Sequence, residues 1–297
     1  MESKMSKTAL ILGPSGKFGR HASAALQSAG WTIRNYDRAK GNIAEMAQGV
    51  DVIVNGLNPA GYASWETEIP RITDMVIGAA RSCGATVLVP GNVYPFGTQT
   101  GPWSDSTPHA PNTSKGRIRA AMEARYSEAA AEGVRTIILR AGDFVDTKAT
   151  GNWFDMVIVK SLSKGHIVYP GNPDLPHAWA YLPDLARAAA ELAERRETLP
   201  AYADIAFPGF TLSGQAIAES LSRSTGRPIR VKRMSWWPMH VVGIVWKTGR
   251  ALVEMRYLWD TPHSLDSTRF ARLLPDFQAT GIDAALAKAS APATKAG

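Results

Sequence analysis

"TALILGPSGKFGRHA" (residues 8–22) runs an apolar stretch into a glycine-rich turn and then into a helical pattern. Residues 8–12 read as a buried strand, because the apolar residues follow one another without polar alternation. "KFGRHASAALQSAG" (17–30) reads as a helix stopped by Gly30. Gly13, Gly16 and Gly19 stand between strand and helix, and that context gives the spacing its meaning. Gly13 permits the tight turn, Gly16 lets backbone approach a diphosphate, and Gly19 lets the helix press against the strand. The helix N-terminus then faces the phosphates, with Ser15, Lys17 and Phe18 filling out the binding turn. A nucleoside-triphosphate loop fits poorly. The pattern GxxxxGK followed by Ser or Thr would need glycine at Ile11 and a hydroxyl at Phe18.

Working outward, "WTIRNYD" (31–37), "VDVIVNG" (50–56), "ATVLVP" (85–90) and "VRTIILR" (134–140) read as further strands. Helical patterns lie between them, from about Trp65 to Arg81 and from near Ser114. Apolar strands separated by amphipathic helices predict an α/β fold, a doubly wound parallel sheet covered on both faces. After Arg140 the pattern loosens. "AGDFVDTKATGNW" is expected as a long loop, followed by helices over "YLPDLARAAAELAERR" and "TLSGQAIAESLSRSTGR". "SWWPMHVVGIVWKTGRALVEMRYLW" (235–259) is expected as an apolar helix on a second lobe, with Lys247, Arg250 and Glu254 as its solvated stripe. The Ala/Lys-rich tail after about Ile282 is expected to fray. The division that follows is a dinucleotide-binding core over 1–165. A smaller, mainly helical substrate-side lobe over 166–297 sends some segments back to the core.

The chain has 297 residues, 45% hydrophobic and 20% charged, enough for a sizeable core. Its net charge of +7 is not gathered into a dense basic block, which argues for anionic small molecules over nucleic acid. One cysteine, Cys83, excludes an intramolecular disulfide and fits a reducing cytoplasm. No apolar run approaches the roughly 20 residues needed to span a bilayer. The six histidines form no HxH or HxxxH pair, and no metal cage is expected.

An acidic residue about 20 positions past the glycines binds the adenosine ribose hydroxyls in dinucleotide sites. Asp37 stands there and favours NAD, since a 2′-phosphate would meet like charge. Arg38 and Lys40 would suit that phosphate, so NADP stays open.

Glycines spaced Gly13-x-x-Gly16-x-x-Gly19 resemble those of the short-chain dehydrogenase/reductase superfamily, in its extended or atypical NAD-dependent epimerase/dehydratase branch. "VDVIVNGLNPAGY" resembles the strand whose following loop, here with Asn58, covers the cofactor. "PGNVYPFG" resembles the strand end with its Ser/Thr and Tyr-Gly pair, and "NTSKGRIRAAME" the helix carrying the family lysine. "HAWAYLPDLARAAAELAE" and "LDSTRFARLLPDF" resemble two C-terminal segments. The resemblance implies a Rossmann-type fold and hydride transfer at a hydroxyl- or carbonyl-bearing carbon of a small substrate.

It also implies that Lys115 holds the nicotinamide ribose, which would explain a cation at a helix N-terminus. The family tyrosine, four residues earlier, is replaced by Pro111, and the Ser/Thr by Asn92. Tyr94, two residues beyond Asn92 on an extended segment, is either the substitute acid or a ring packed beneath the loop. The loop after Arg140 supplies Asp143, Phe144, Trp153 and Phe154 as substrate-side candidates, with His177 and Tyr181 on the far wall or in the core. Two functions follow. One is an NAD(P)-dependent oxidoreductase or epimerase-like enzyme, in which Lys115, Tyr94 and Asn92 act. The other is a non-catalytic NAD(P) sensor. A homodimer is compatible with either.

Overall fold

A computed structural model describes residues 7–59, 62, 64–239 and 252–294. Six parallel strands form the main sheet: β1 (Thr8–Leu12), β2 (Thr32–Asn35), β3 (Val52–Asn55), β4 (Thr86–Gly91), β5 (Thr136–Arg140) and β9 (Tyr202–Ala206). Their spatial order is β2-β1-β3-β4-β5-β9. The chain leaves β1 through α1 (Lys17–Ser28) to β2 on one side, then crosses back to β3 on the other. This reversal makes the carboxyl ends of β1 and β3 the switch point where ligands of such sheets lie. Only one helical turn, α2 (Ile43–Met46), separates β2 from β3, so β2 ends the sheet.

Both faces of the sheet are covered because β1 alternates its side chains. Ala9 and Ile11 pack with α1 and α5 (Leu182–Glu194), through Ala22, Leu26, Leu185 and Leu192. Leu10 and Leu12 pack on the other face with α3 (Trp65–Cys83) and α4 (Ser114–Ala130), through Ile69, Val76 and Met122.

The expected loop after Arg140 contains a strand, β6 (Asp143–Val145), which pairs with β8 (His177–Tyr181). β10 (Phe210–Leu212) pairs with β8 from the other side, and β7 (His166–Tyr169) pairs with β11 (Arg230–Arg233). With α6 (Gly214–Thr225) these short strands form a second lobe. Its core joins Val145, Phe154 and Ile158 to Trp179, Ile217 and Trp259. Part of the stretch before residue 165 therefore packs in this lobe, while α5 and β9 return to the main sheet. Between them and the last helix lies α7 (Thr268–Leu273), packed beside β9.

Through Thr294 the tail is helical where fraying was expected. Residues Ile282–Thr294 form α8, which buries Ala285, Leu286 and Ala289 against the second lobe. Ser220 and Arg223 of α6 bond Asp283 at its start, at 2.6 and 2.7 Å. Lys247 and Arg250 lie outside the described residues. Of the flanking tryptophans, Trp236 is buried and Trp237 is 73% exposed. Among the described residues no helix is long and apolar enough to cross a membrane.

Candidate functional site

At the carboxyl end of β1, Gly13 has φ 72°, and the Gly16 amide closes the turn on its carbonyl at 2.9 Å. The cradle leaves no room for side chains. A Cβ on Gly13 would lie 3.0 Å from the Gly56 oxygen, and one on Gly16 would lie 3.0 Å from the Gly13 oxygen. One on Gly19 would be driven into the Gly13 carbonyl. Gly16 caps α1 without a side-chain hydrogen bond, and the first turn carries no acidic residue. Its amides and dipole are therefore available to an anion. Phe18 anchors the turn in the core, and Ser15 is exposed.

Loop 146–152 crosses this turn. Lys17 Nζ donates to the Gly151 carbonyl at 2.7 Å, and burial lowers its pKa, with Asp155, Asp146 and Asp143 opposing the shift. Buried Asp146 accepts from Arg20 at 2.5 Å, His21 at 2.9 Å and Thr150 at 2.8 Å. Despite its burial, these donors hold the Asp146 carboxyl below the usual range.

Asp37 lies just past β2, exposed, with Oδ1 accepting the Ala39 amide at 3.0 Å. Arg38 is exposed beside it. At the end of β3, Asn55 donates to the Tyr126 hydroxyl at 3.1 Å. Asn58 faces α4, and its Oδ1 accepts from Arg119 at 2.7 Å.

The partner of Asn58 is a residue that the sequence reading missed. On α4, Lys115, Arg119 and Glu123 recur every four residues and share one face. Arg119, nearly buried, stacks on Trp65 with 4.5 Å from guanidinium to ring centroid. It is the α4 cation that reaches the β3 end. Lys115 lies one turn nearer the helix start, 3.4 Å from Ser114 Oγ and 5.9 Å from the Tyr62 ring centroid. The i, i+4 spacing was visible, but the burial of an arginine was not.

Thr113 caps α4 by accepting the Gly116 amide at 3.0 Å, and Glu254 from the second lobe accepts from the Ser114 amide and hydroxyl. Asn92 Oδ1 accepts the Tyr94 amide at 3.1 Å, which leaves its amide nitrogen to donate. Tyr94 belongs to a helical turn (Tyr94–Phe96), not an extended segment, so the two-residue spacing does not by itself put it beside Asn92. Its hydroxyl instead shares a hydrogen bond with Tyr62 at 3.3 Å. Burial pushes both phenols above their ordinary pKa, Tyr94 well above it.

Asp143 opens β6 at its pairing with β8. Gly142 makes this possible, since a Cβ there would run into the Ala178 carbonyl and force β6 off β8. His177 Nε2 is 2.8 Å from Asp143 Oδ2. A carboxylate only accepts, so that nitrogen carries the proton. The buried His177 ring stacks flat on Trp259 at 4.4 Å and 7°, and meets His263 edge-on at 4.4 Å. Trp153 packs against Trp236 and Trp259 at 6.0 and 5.3 Å. Phe144 turns to the main-sheet core, and Phe154 and Tyr181 are buried in the second lobe. Among the described residues the buried Tyr169 hydroxyl and the His263 Nε2 have no hydrogen-bond partner, and Asp143 acts electrostatically on Tyr169 and Tyr257.

Beneath the site, fully buried Arg140 donates to Glu123 (2.6 Å), to Asp204 and to the Asn92 carbonyl (2.5 Å). Burial works against its charge, but the two carboxylates outweigh that and raise its pKa further. His109, Glu123 and Asp204 bring ligand-type atoms within 4.8 Å of one another. Both carboxylates are already bonded to Arg140, which supplies the positive charge a metal ion would bring.

No family model and no curated protein matches the sequence. The fold, however, has solved counterparts. MoeE5 in complex with UDP-glucose and NAD aligns with a TM-score of 0.74 and 16% identity, over 98% of this chain and 99% of that one. UDP-glucuronic acid 4-epimerase from Bacillus cereus, solved with UDP-glucuronic acid and NAD, gives 0.73 and 13%, over 97% and 99%. UDP-glucose 4-epimerase from Brucella ovis in complex with NAD gives 0.71 and 15%, over 97% and 98%. At these identities the likeness establishes the Rossmann-type architecture along nearly the whole chain.

Proposed function

We propose that the chain is an NAD-dependent enzyme of the epimerase or oxidoreductase type, acting at a hydroxyl- or carbonyl-bearing carbon of a small sugar-like substrate. The observation that carries this reading is the Gly13–Gly16–Gly19 cradle at the switch point, closed by Gly56. The cradle fits a diphosphate, and the exposed carboxylate at the end of β2 fits a ribose diol. The NAD bound by the neighbouring structures supports the same reading.

A bound nicotinamide would supply the hydride acceptor or donor. The α1 amides hold its diphosphate, and Asp37 holds the adenosine ribose and disfavours a 2′-phosphate. Arg119, with Asn58, takes the ribose-side role first expected of Lys115. Lys115 stands one turn nearer the substrate. The Asn92 amide and the Tyr94 hydroxyl donate hydrogen bonds to the substrate oxygen. A coenzyme sensor would need only the cradle, and the Asp143–His177 pair favours the enzyme.

The test is calorimetric titration of the pure protein with NAD+, NADH, NADP+ and NADPH. Binding of the NAD pair is expected to exceed that of the NADP pair, with Asp37→Ala narrowing the gap. The absence of heat and of any thermal shift with all four would end the reading.

A further inference from the structure

We propose that Asp143 is the proton carrier of the reaction and that His177 is its positioning residue. This rests on the coenzyme reading above and goes beyond it by assigning the acid–base step.

Asp143 stands three residues past Arg140, at the carboxyl end of β5, where the sheet presents its ligand. Its Oδ2 is taken by the His177 Nε2 proton at 2.8 Å. Its Oδ1 has no hydrogen-bond partner among the described residues, and the side chain keeps 21% exposure. The carboxylate therefore has one oxygen fixed and one free. The His177 ring is clamped between the Trp259 face and the His263 edge, so it holds the carboxylate at a set angle.

The competing proton carrier is Tyr94. Arg119 favours its ionisation, but burial, Tyr62 and Asp143 outweigh that, and Arg119 is itself bonded to Asn58 while Lys115 sits over the Tyr62 ring. Burial of both phenols makes them hydrogen-bond donors and poor proton acceptors at neutral pH. Asp143 acts electrostatically on Tyr62, Tyr94, Tyr169, Tyr257 and Lys17, so its charge reaches groups on both sides of the β5 end.

In the oxidising direction a secondary alcohol becomes a ketone. The carbon-bound hydrogen leaves with the electron pair of its bond, for which an oxidised nicotinamide is the oxidant. The hydroxyl O–H bond breaks, its proton goes to Asp143 Oδ1, and its electron pair forms the carbonyl. Reduction reverses each transfer, and the proton returns from the Asp143 carboxyl group to the alkoxide oxygen.

The experiment compares wild type with Asp143→Asn, His177→Gln and Tyr94→Phe, all loaded with NADH and screened against a panel of small ketoses and aldoses. Asp143→Asn keeps the size and an acceptor oxygen for His177, and is expected to lower kcat by about 100-fold or more. NADH affinity, read by fluorescence, should stay unchanged. His177→Gln should lower kcat by about tenfold and move the pH profile, while Tyr94→Phe should lose no more than about tenfold.

Histidine-labelled NMR gives a readout independent of turnover. His177 should be the Nε2-protonated tautomer, and its resonance should move in Asp143→Asn. The proposal is overturned if Asp143→Asn keeps wild-type kcat, or if Tyr94→Phe abolishes turnover more completely than Asp143→Asn does. If no compound in the panel turns over, an Nδ1-protonated His177, or one indifferent to Asp143→Asn, overturns it. Failure of every variant and of wild type to bind NADH would instead sink the coenzyme reading.

Discussion

Replacing Gly19 with alanine sets two effects of opposite sign against each other. In an open helix the change would stabilise by about 1 kcal/mol, because glycine has the greater backbone freedom to lose. Here the new methyl would meet the Gly13 oxygen, with Gly13 C at 2.9 Å and Pro14 Cα at 3.3 Å, all backbone atoms. None can rotate away, so α1 must back off β1, and forced overpacking of this kind costs about 1–3 kcal/mol. The expected net effect is a loss of about 0–2 kcal/mol, the difference of the two. Coenzyme affinity should fall by more than about tenfold, since a shift of α1 moves every amide proposed to hold the diphosphate.

Gly13→Ala adds a left-handed backbone, φ 72°, at about 1–2 kcal/mol, and should lose binding too. Gly30→Ala is the control. Its φ is 85° and nothing lies within 4 Å of the added methyl, so it carries the backbone penalty at the far end of α1. Urea unfolding and NADH fluorescence titration read the two quantities separately. A Gly19→Ala protein that gains the full helix-propensity stability and binds NADH like wild type would refute the reasoning.

Two further predictions concern stability. Arg140→Leu leaves Glu123 and Asp204 buried without their cation, and should destabilise by about 3–5 kcal/mol in urea unfolding. His263, packed between Trp103 and His177, has its pKa pushed down from 6.5 to about 3 by burial first and His177 second. The unfolded chain therefore binds a proton in this pH range that the folded one refuses, so His263 contributes stability above pH 6.5 that is lost as the pH falls toward 3. His263→Phe should flatten the fall of stability with acid across that window, measured by denaturant unfolding at a series of pH values.

Of the candidate site, the geometry of the glycine turn was the most legible part, because its rules are local. A strand, three glycines and a helix lie within 22 residues, and each glycine answers to a contact within that unit or to Gly56. Asp37 was chosen on the same local spacing, and it stands exposed just past β2. The other groups of the candidate site were less readable for specific reasons. Tyr94 was placed by strand periodicity, but the chain turns helical there. Arg119 carried no mark of being buried on Trp65, since a cation on an amphipathic helix usually faces solvent. The tail looked too rich in alanine to hold, yet small side chains let α8 lie close against the second lobe, where Ala285 and Ala289 are buried.

By itself the chain's order of residues determined the alternation of strands and helices, the doubly wound sheet and the glycine turn between β1 and α1. All three depend on periodicity and backbone conformation, which act over a few residues. Tertiary structure alone decided that Asp143 meets His177 across 34 positions, that Arg119 and not Lys115 reaches the end of β3, and that Arg140 joins α4 to β9 beneath them. Such pairings arise when two sheets and a helix close on one another. Packing selects them from many sequence-compatible partners, because a buried charge is stable only where its counterpart has been brought within hydrogen-bonding distance.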